Sequence, residues 1–259
     1  MTGLAHRPEA VLLALLVAVV YPLVGLRRFR RIENLPEPLP SRTLLRIYWS
    51  LIVSQWLLVT LTAMLFFGAG RSLADIGQSL GPRPAMTIFV GGALLAAFAL
   101  LAKFTTGQLR TAQLTDLPHR MRKAGKILPQ NGEERAWFIA VALTAGVCEE
   151  ILYRGFLPWF IDAHTGGFRG VGYVVAAVVF GLGHAYQGKD GMVVTAILGL
   201  IFGAIAFSVR SLVPGQLLHV AIDLINGIAV GATLARIRLQ PDPVVVPAPD
   251  IDAPAAPSA

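Results

Sequence analysis

A single cysteine, Cys148, excludes any intramolecular disulfide and leaves the redox compartment unread. Charge is also scarce. Asp, Glu, Lys and Arg make up 14% of the 259 residues, against about 25% in a soluble domain, so there is too little polar surface to coat a water-soluble globule. The HExxH pattern, which sets two zinc ligands on one helix turn, is absent. Base-stacking aromatics are not interleaved with the basic residues, so the net charge of +7 does not describe a nucleic-acid partner. A cleavable leader is not expected either. The first basic cluster follows the first apolar stretch instead of preceding it, and no small-residue cleavage site separates the two.

What the chain does have is long apolar runs. Residues 10–26, 47–70, 84–102, 136–148, 170–188 and 191–209 contain no Asp, Glu, Lys or Arg, and residues 211–235 contain only Asp223. Crossing about 30 Å of hydrocarbon takes about 20 helical residues. The fourth run reaches that length only when read across Glu149, Glu150 and Arg154 to Ile161. The expected fold is therefore all-α, a polytopic bundle of about seven transmembrane helices. Its first partner is the lipid bilayer.

The basic residues fall in alternate connectors, with Arg27, Arg28, Arg30, Arg31, Arg42 and Arg46 in one and Lys103, Arg110, Arg120, Arg122, Lys123, Lys126 and Arg135 in another. Arg236 and Arg238 follow the last run. The positive-inside rule then puts the C-terminus in the cytoplasm, with the cell membrane as the expected location. The second basic connector is long and amphipathic enough to lie on the membrane surface. Residues 1–135 are read as an N-terminal scaffold plus this connector, 136–239 as the polar helices, and 240–259 as a disordered tail rich in Pro and Ala. Two small-xxx-small pairs, Gly199/Gly203 and Gly227/Gly231, are read as helix-packing positions.

An Asp, Lys or Arg at mid-membrane costs about 2.5–3.5 kcal/mol on insertion scales. Spans four to seven nevertheless carry Glu149, Glu150, Arg154, His184, His219 and Asp223, and spans one to three carry none. Glu150 and Arg154 are four apart and can pair along one helix face. Glu149 is turned about 100° away and is free to face something else. Phe180 and His184 share a face, as do His219, Asp223 and Asn226. Counted along antiparallel helices, Glu149 and His184 fall at similar depth, while His219 lies only about 7 Å past Pro214, nearer the opposite face.

Three of these segments carry a resemblance. Glu149-Glu150-Ile-Leu-Tyr-Arg154 has the form EExxxR, Phe180-Gly-Leu-Gly-His184 the form FxxxH, and His219-Val-Ala-Ile-Asp223 the form Hxxx(N/D). In this order they resemble the CPBP family of intramembrane proteases, which includes CAAX endopeptidases and bacteriocin-processing or immunity proteins. The resemblance covers about residues 136–234 and has Asp223 where the CAAX endopeptidases have Asn. It implies a conical polar cavity in the C-terminal half of the bundle and an intramembrane endopeptidase acting on a membrane-associated peptide or protein, with or without a lipid anchor. Glu149, His184, His219 and Asp223 would be catalytic, and Glu150, Arg154, Phe180 and Asn226 structural or supporting.

Glu149 and His184 would then activate a water, and His219 would stabilise the oxyanion with Asp223 or Asn226 orienting it. Metal-free catalysis is the favoured expectation. The competing option is zinc held by Glu149, His184 and His219. A catalytically silent peptide-binding or immunity protein is the alternative function, and a proton-coupled transporter a third. Two nucleophile readings carry little: Ser79 in Gly77-Gln-Ser-Leu-Gly81 lacks a strand-turn-helix setting, and Cys148 fits an apolar filler. Oligomeric state and substrate identity are not legible.

Overall fold

The computed structural model describes residues 2–35, 38–109, 125–166 and 170–239. Parts of the amphipathic connector (110–124), Arg169 and the Pro/Ala-rich tail (240–259) lie outside the described residues. The described chain is helical and contains no strand, as the apolar runs require. After a one-turn helix at Thr2–Ala5 come α1 (Pro8–Glu33), α2 (Ser41–Phe67), α3 (Pro84–Leu109), α4 (Gly132–His164), α5 (Val171–Gly183), α6 (Gly188–Val209) and α7 (Val213–Leu239).

Six of these helices are long and apolar enough to cross a membrane by length and composition. The exception is α5, whose 13 residues reach about 20 Å, short of the bilayer core. The apolar run continues past it, but the backbone turns at His184 and passes through a short 3-10 segment, Ala185–Gln187, into α6. Elsewhere the helices outrun the uncharged stretches. α1 continues through Arg27, Arg28, Arg30 and Arg31, and α2 begins before Arg42 and Arg46; all six arginines are exposed. Long basic side chains carry their charge to the interface while the helix persists, so a scan for uncharged runs cuts these helices short.

α4 is the organising element. Asn131 caps it by accepting from the Glu134 amide at 2.9 Å, and Glu134 accepts from Ser41 Oγ at 2.6 Å, which ties the start of α4 to the start of α2. Its middle, Ile151–Phe156, winds as a π-helix with every residue buried. Such wide turns gather at functional sites, and this one begins directly after Glu150. α4 packs on α2, on α7 and, through its last turns, on α5. Its side chains Cys148, Ile151, Leu152, Tyr153, Phe156 and Leu157 form the centre of the apolar core.

Glycine sets the closest crossings. A Cβ on Gly146 of α4 would lie 2.4 Å from Val220 Cγ2 and 2.9 Å from the Val220 amide nitrogen on α7. Both small-residue pairs pack as expected: Gly199 and Gly203 against Ala177 and Tyr173 of α5, Gly227 and Gly231 against Phe138 and Pro129.

The connector between α2 and α3 is tucked into the bundle. Its Gly77 carbonyl accepts from the Leu212 amide at 2.9 Å, Ser79 O accepts from Ser211 Oγ at 2.5 Å, and Gln78 pairs with Gln216. Gly81, at φ +70°, has no room for a side chain, since a Cβ there would be 2.8 Å from Arg210 O. The start of α7 is therefore recessed beneath this connector, with Ser211 and Leu212 each 1% exposed. α4, with 33 residues, runs about 50 Å. Overshoot of α4 and recession of α7 bring His219 to the depth of Glu150, which equal, flush spans do not allow.

Candidate active site

The EExxxR segment places consecutive carboxylates on different sides of α4. Glu150 is 1% exposed and its Oε1 lies 3.1 Å from Arg154 Nη1, one turn on. The Arg154 guanidinium, itself 2% exposed, lies over the Phe180 ring at 4.0 Å and near Phe202 at 5.4 Å. Flat aromatic faces offer a buried cation the electron density that water would otherwise supply. The expected pairing of Glu150 with Arg154 is present, and Phe180 shares a face with His184, as its spacing predicts.

Glu150 does more than pair along its own helix. The same Oε1 lies 3.0 Å from His219 Nδ1 on α7. A carboxylate only accepts, so Nδ1 carries the proton and donates to Glu150, which orients the ring. Nε2 is left facing Glu149 Oε2 at 3.9 Å and Asp223 Oδ2 at 3.7 Å. One imidazole thus spans both members of the Glu149-Glu150 pair. Direct hydrogen bonds end near 3.2 Å, so Nε2 faces the two carboxylates without bonding either. The orienting group for His219 is Glu150, a partner that helical spacing within α7 does not reveal. Asn226 lies exposed on α7, and the His219 orientation does not draw on it.

His184 closes α5. Its Nδ1 is 2.8 Å from the Phe180 carbonyl and its ring centroid 4.7 Å from that of Phe180. Phe180 stands edge-on to His219 at 6.2 Å, so the two imidazoles flank one aromatic ring. With Nδ1 donating to the carbonyl, the Nε2 of His184 is its free acceptor. Tyr186, on the turn after α5, stacks near His184 at 5.7 Å.

Two of the first three helices, α1 and α2, also reach the site. Gln55, buried in the middle of α2, donates from Nε2 to Glu149 Oε1 at 2.8 Å. Tyr21 of α1 adjoins Gln55 and Ser54. A search for charged residues passes over Gln55. The signal that finds it is the single amide side chain in residues 51–59, a stretch otherwise apolar except for Ser54. Cys148 is fully buried among core side chains, in keeping with a filler. Ser79 sits in a turn, where its Oγ accepts from the Gly81 amide.

A metal needs convergent ligands at about 2.0–2.3 Å from one point. Among the described residues no group of three or more His, Cys, Asp or Glu side chains is arranged to hold one. Glu149 Oε1 is engaged by Gln55, and Glu149 Oε2 stands 3.9 Å from His219 Nε2. As arranged, these residues do not present a ready zinc site.

Fold and site together define a polytopic helical membrane protein with an acid–base cluster buried at the crossing of α4, α5 and α7. Residues 131–225 match the family model described as type II CAAX prenyl endopeptidase Rce1-like, in agreement with the resemblance carried by the three motifs. The match supports a CAAX-type intramembrane protease in general. No curated protein and no solved structure matches the chain.

Proposed function

We propose that the protein is an intramembrane endopeptidase that hydrolyses a peptide bond of a membrane-associated or lipidated substrate with a water activated by Glu149. The observation that carries this reading is the convergence of Glu149 and Asp223, from two different helices, on one imidazole nitrogen, His219 Nε2. Carboxylate and imidazole at separations just beyond a direct bond leave the span that one bridging water covers.

The attacking water enters between Glu149 Oε2 and His219 Nε2. Glu149 takes a proton from it as its oxygen adds to the scissile carbonyl. His219, protonated on both nitrogens and held by Glu150 and Asp223, donates from Nε2 to the oxyanion. Asp223 thereby acts on the imidazole and needs no donor of its own, which suits a carboxylate where the CAAX endopeptidases have an amide. Glu149 then passes its proton to the leaving nitrogen as the C–N bond breaks. His184, whose ring packs on the same Phe180 that stands edge-on to His219, is assigned to assist in holding the water through its Nε2. Arg154 balances Glu150 and fixes the helix that carries Glu149. Asn226 remains a supporting residue only by its spacing from Asp223.

In this reading residues 136–239 form the catalytic unit, the C-terminus is cytoplasmic and the cell membrane is the location. The test is cleavage of a panel of lipidated and unlipidated peptides by detergent-purified protein, with and without a zinc chelator. Cleavage lost in both Glu149→Ala and His184→Ala, and insensitive to chelator, is expected. Cleavage abolished by the chelator and restored by zinc would replace the metal-free mechanism, and cleavage intact in both variants would remove the assignment of this site.

A further inference from the structure

Resting on the reading of Glu149 as the base, we propose that Gln55 is a positioning and substrate-binding residue, holding Glu149 through its amide nitrogen and receiving a substrate backbone N–H on its amide oxygen. Gln55 is 4% exposed, in a helix whose remaining mid-span residues are mainly apolar. Its Nε2 engages Glu149 Oε1 at 2.8 Å. That oxygen is thereby occupied, and Oε2, the one facing His219 Nε2, is the oxygen left to take a proton.

The amide's orientation is that of the hydrogen bond: the NH₂ end of Gln55 faces Glu149 and the oxygen faces away, the arrangement that suits a carboxylate acting as base. Gln55 Oε1 is buried and has no hydrogen-bond partner among the described residues. Tyr21 adjoins the amide yet leaves this oxygen without a donor. Buried acceptors in folded proteins are nearly always partnered. An unpartnered one on the residue that holds the base marks where an incoming donor docks. An extended peptide supplies such donors at regular intervals along its backbone. Recognition by Gln55 would therefore read the main chain next to the scissile bond and not a side chain.

The test uses full-length protein in detergent and a peptide that wild type cleaves. Each non-scissile amide near the cleavage point is replaced in turn by an ester, which removes one N–H. Wild type is expected to lose about tenfold in kcat/KM at one ester position, the loss of one hydrogen bond of about 1.4 kcal/mol. Gln55→Leu, of similar shape, is expected to lower kcat by about ten- to a hundredfold and to show no ester penalty at that position, with an unchanged thermal midpoint. A purely structural role would not erase the penalty at one position. The proposal is overturned if Gln55→Leu keeps wild-type kcat, or if its ester penalties equal those of wild type. Loss of cleavage in Glu149→Ala alongside either result sinks the role of Gln55 alone. Cleavage that survives Glu149→Ala sinks the underlying hydrolytic reading, and this proposal with it.

Discussion

The two halves of the bundle solve opposite problems. In the most apolar windows of α1 and α3, 22% and 17% of residues are buried within the protein, while in that of α4 the share is 56%. α1 and α3 meet lipid along most of their surface and can carry little but apolar side chains. α4 is wrapped by α2, α5 and α7, so its carboxylates see arginine, imidazole and amide in place of hydrocarbon. Burial against protein, not depth in the sequence, decides where an ionisable group is tolerated. α2 belongs to both regimes, since Trp49, Trp56 and Met64 face outward while Gln55 points at Glu149.

That comparison is broken most severely by stranding a charge in the protected half. Arg154→Leu leaves Glu150, 1% exposed, with the His219 imidazole alone in place of its guanidinium, and the expected cost is about 3–5 kcal/mol. A lowered midpoint of thermal unfolding in detergent checks it. Removing both partners, Glu150→Leu with Arg154→Leu, is expected to recover much of that stability. It should not recover peptidase activity, because His219 then loses the group that orients it.

Next in size is Gly146→Ala. The added methyl collides with Val220 and forces α4 and α7 apart, with an expected loss of about 1–3 kcal/mol. The same substitution in the lipid-facing half has the opposite sign. A Cβ on Gly92 of α3 meets nothing within 4 Å, so Gly92→Ala is expected to stabilise by about 0.8–1 kcal/mol through helix propensity. Unfolding midpoints of the two variants, measured side by side, sharpen or erase the distinction between the halves. Equal shifts would erase it.

Much of the site is readable from the sequence because charge in an apolar span is conspicuous. Glu149, Glu150, Arg154, His219 and Asp223 stand out for that reason, and the i, i+4 pairings within α4 and α7 follow from helix geometry alone. What helix geometry does not carry is contact between helices. The hydrogen bond from His219 to Glu150 joins residues 69 apart, and nothing in the spacing of either motif announces it. Gln55 is hidden for a different reason. A neutral amide costs less in lipid than a charge, and Ser, Thr and Gln recur in spans for packing as well as chemistry. The depth of His219 depends on the Arg71–Arg83 connector folding back over Ser211 and Leu212. That connector reads as a polar loop, and its burial comes from hydrogen bonds to the carbonyls of Gly77 and Ser79. The fifth run is long enough to suggest a full span, but the turn at His184 ends its helix early, and that turn presents the imidazole at the helix terminus.

The central claim is that two adjacent carboxylates have separate duties, Glu149 in proton transfer and Glu150 in holding His219. Turnover of a cleavable peptide by Glu149→Gln, with the thermal midpoint measured on the same preparation, tests it most directly. The account predicts a fall of about 10²–10⁴-fold in kcat, the contribution of a general base. The midpoint is expected to stay unchanged, since the amide introduced at that position can still pair with Gln55. Turnover within tenfold of wild type in a folded Glu149→Gln protein would contradict it.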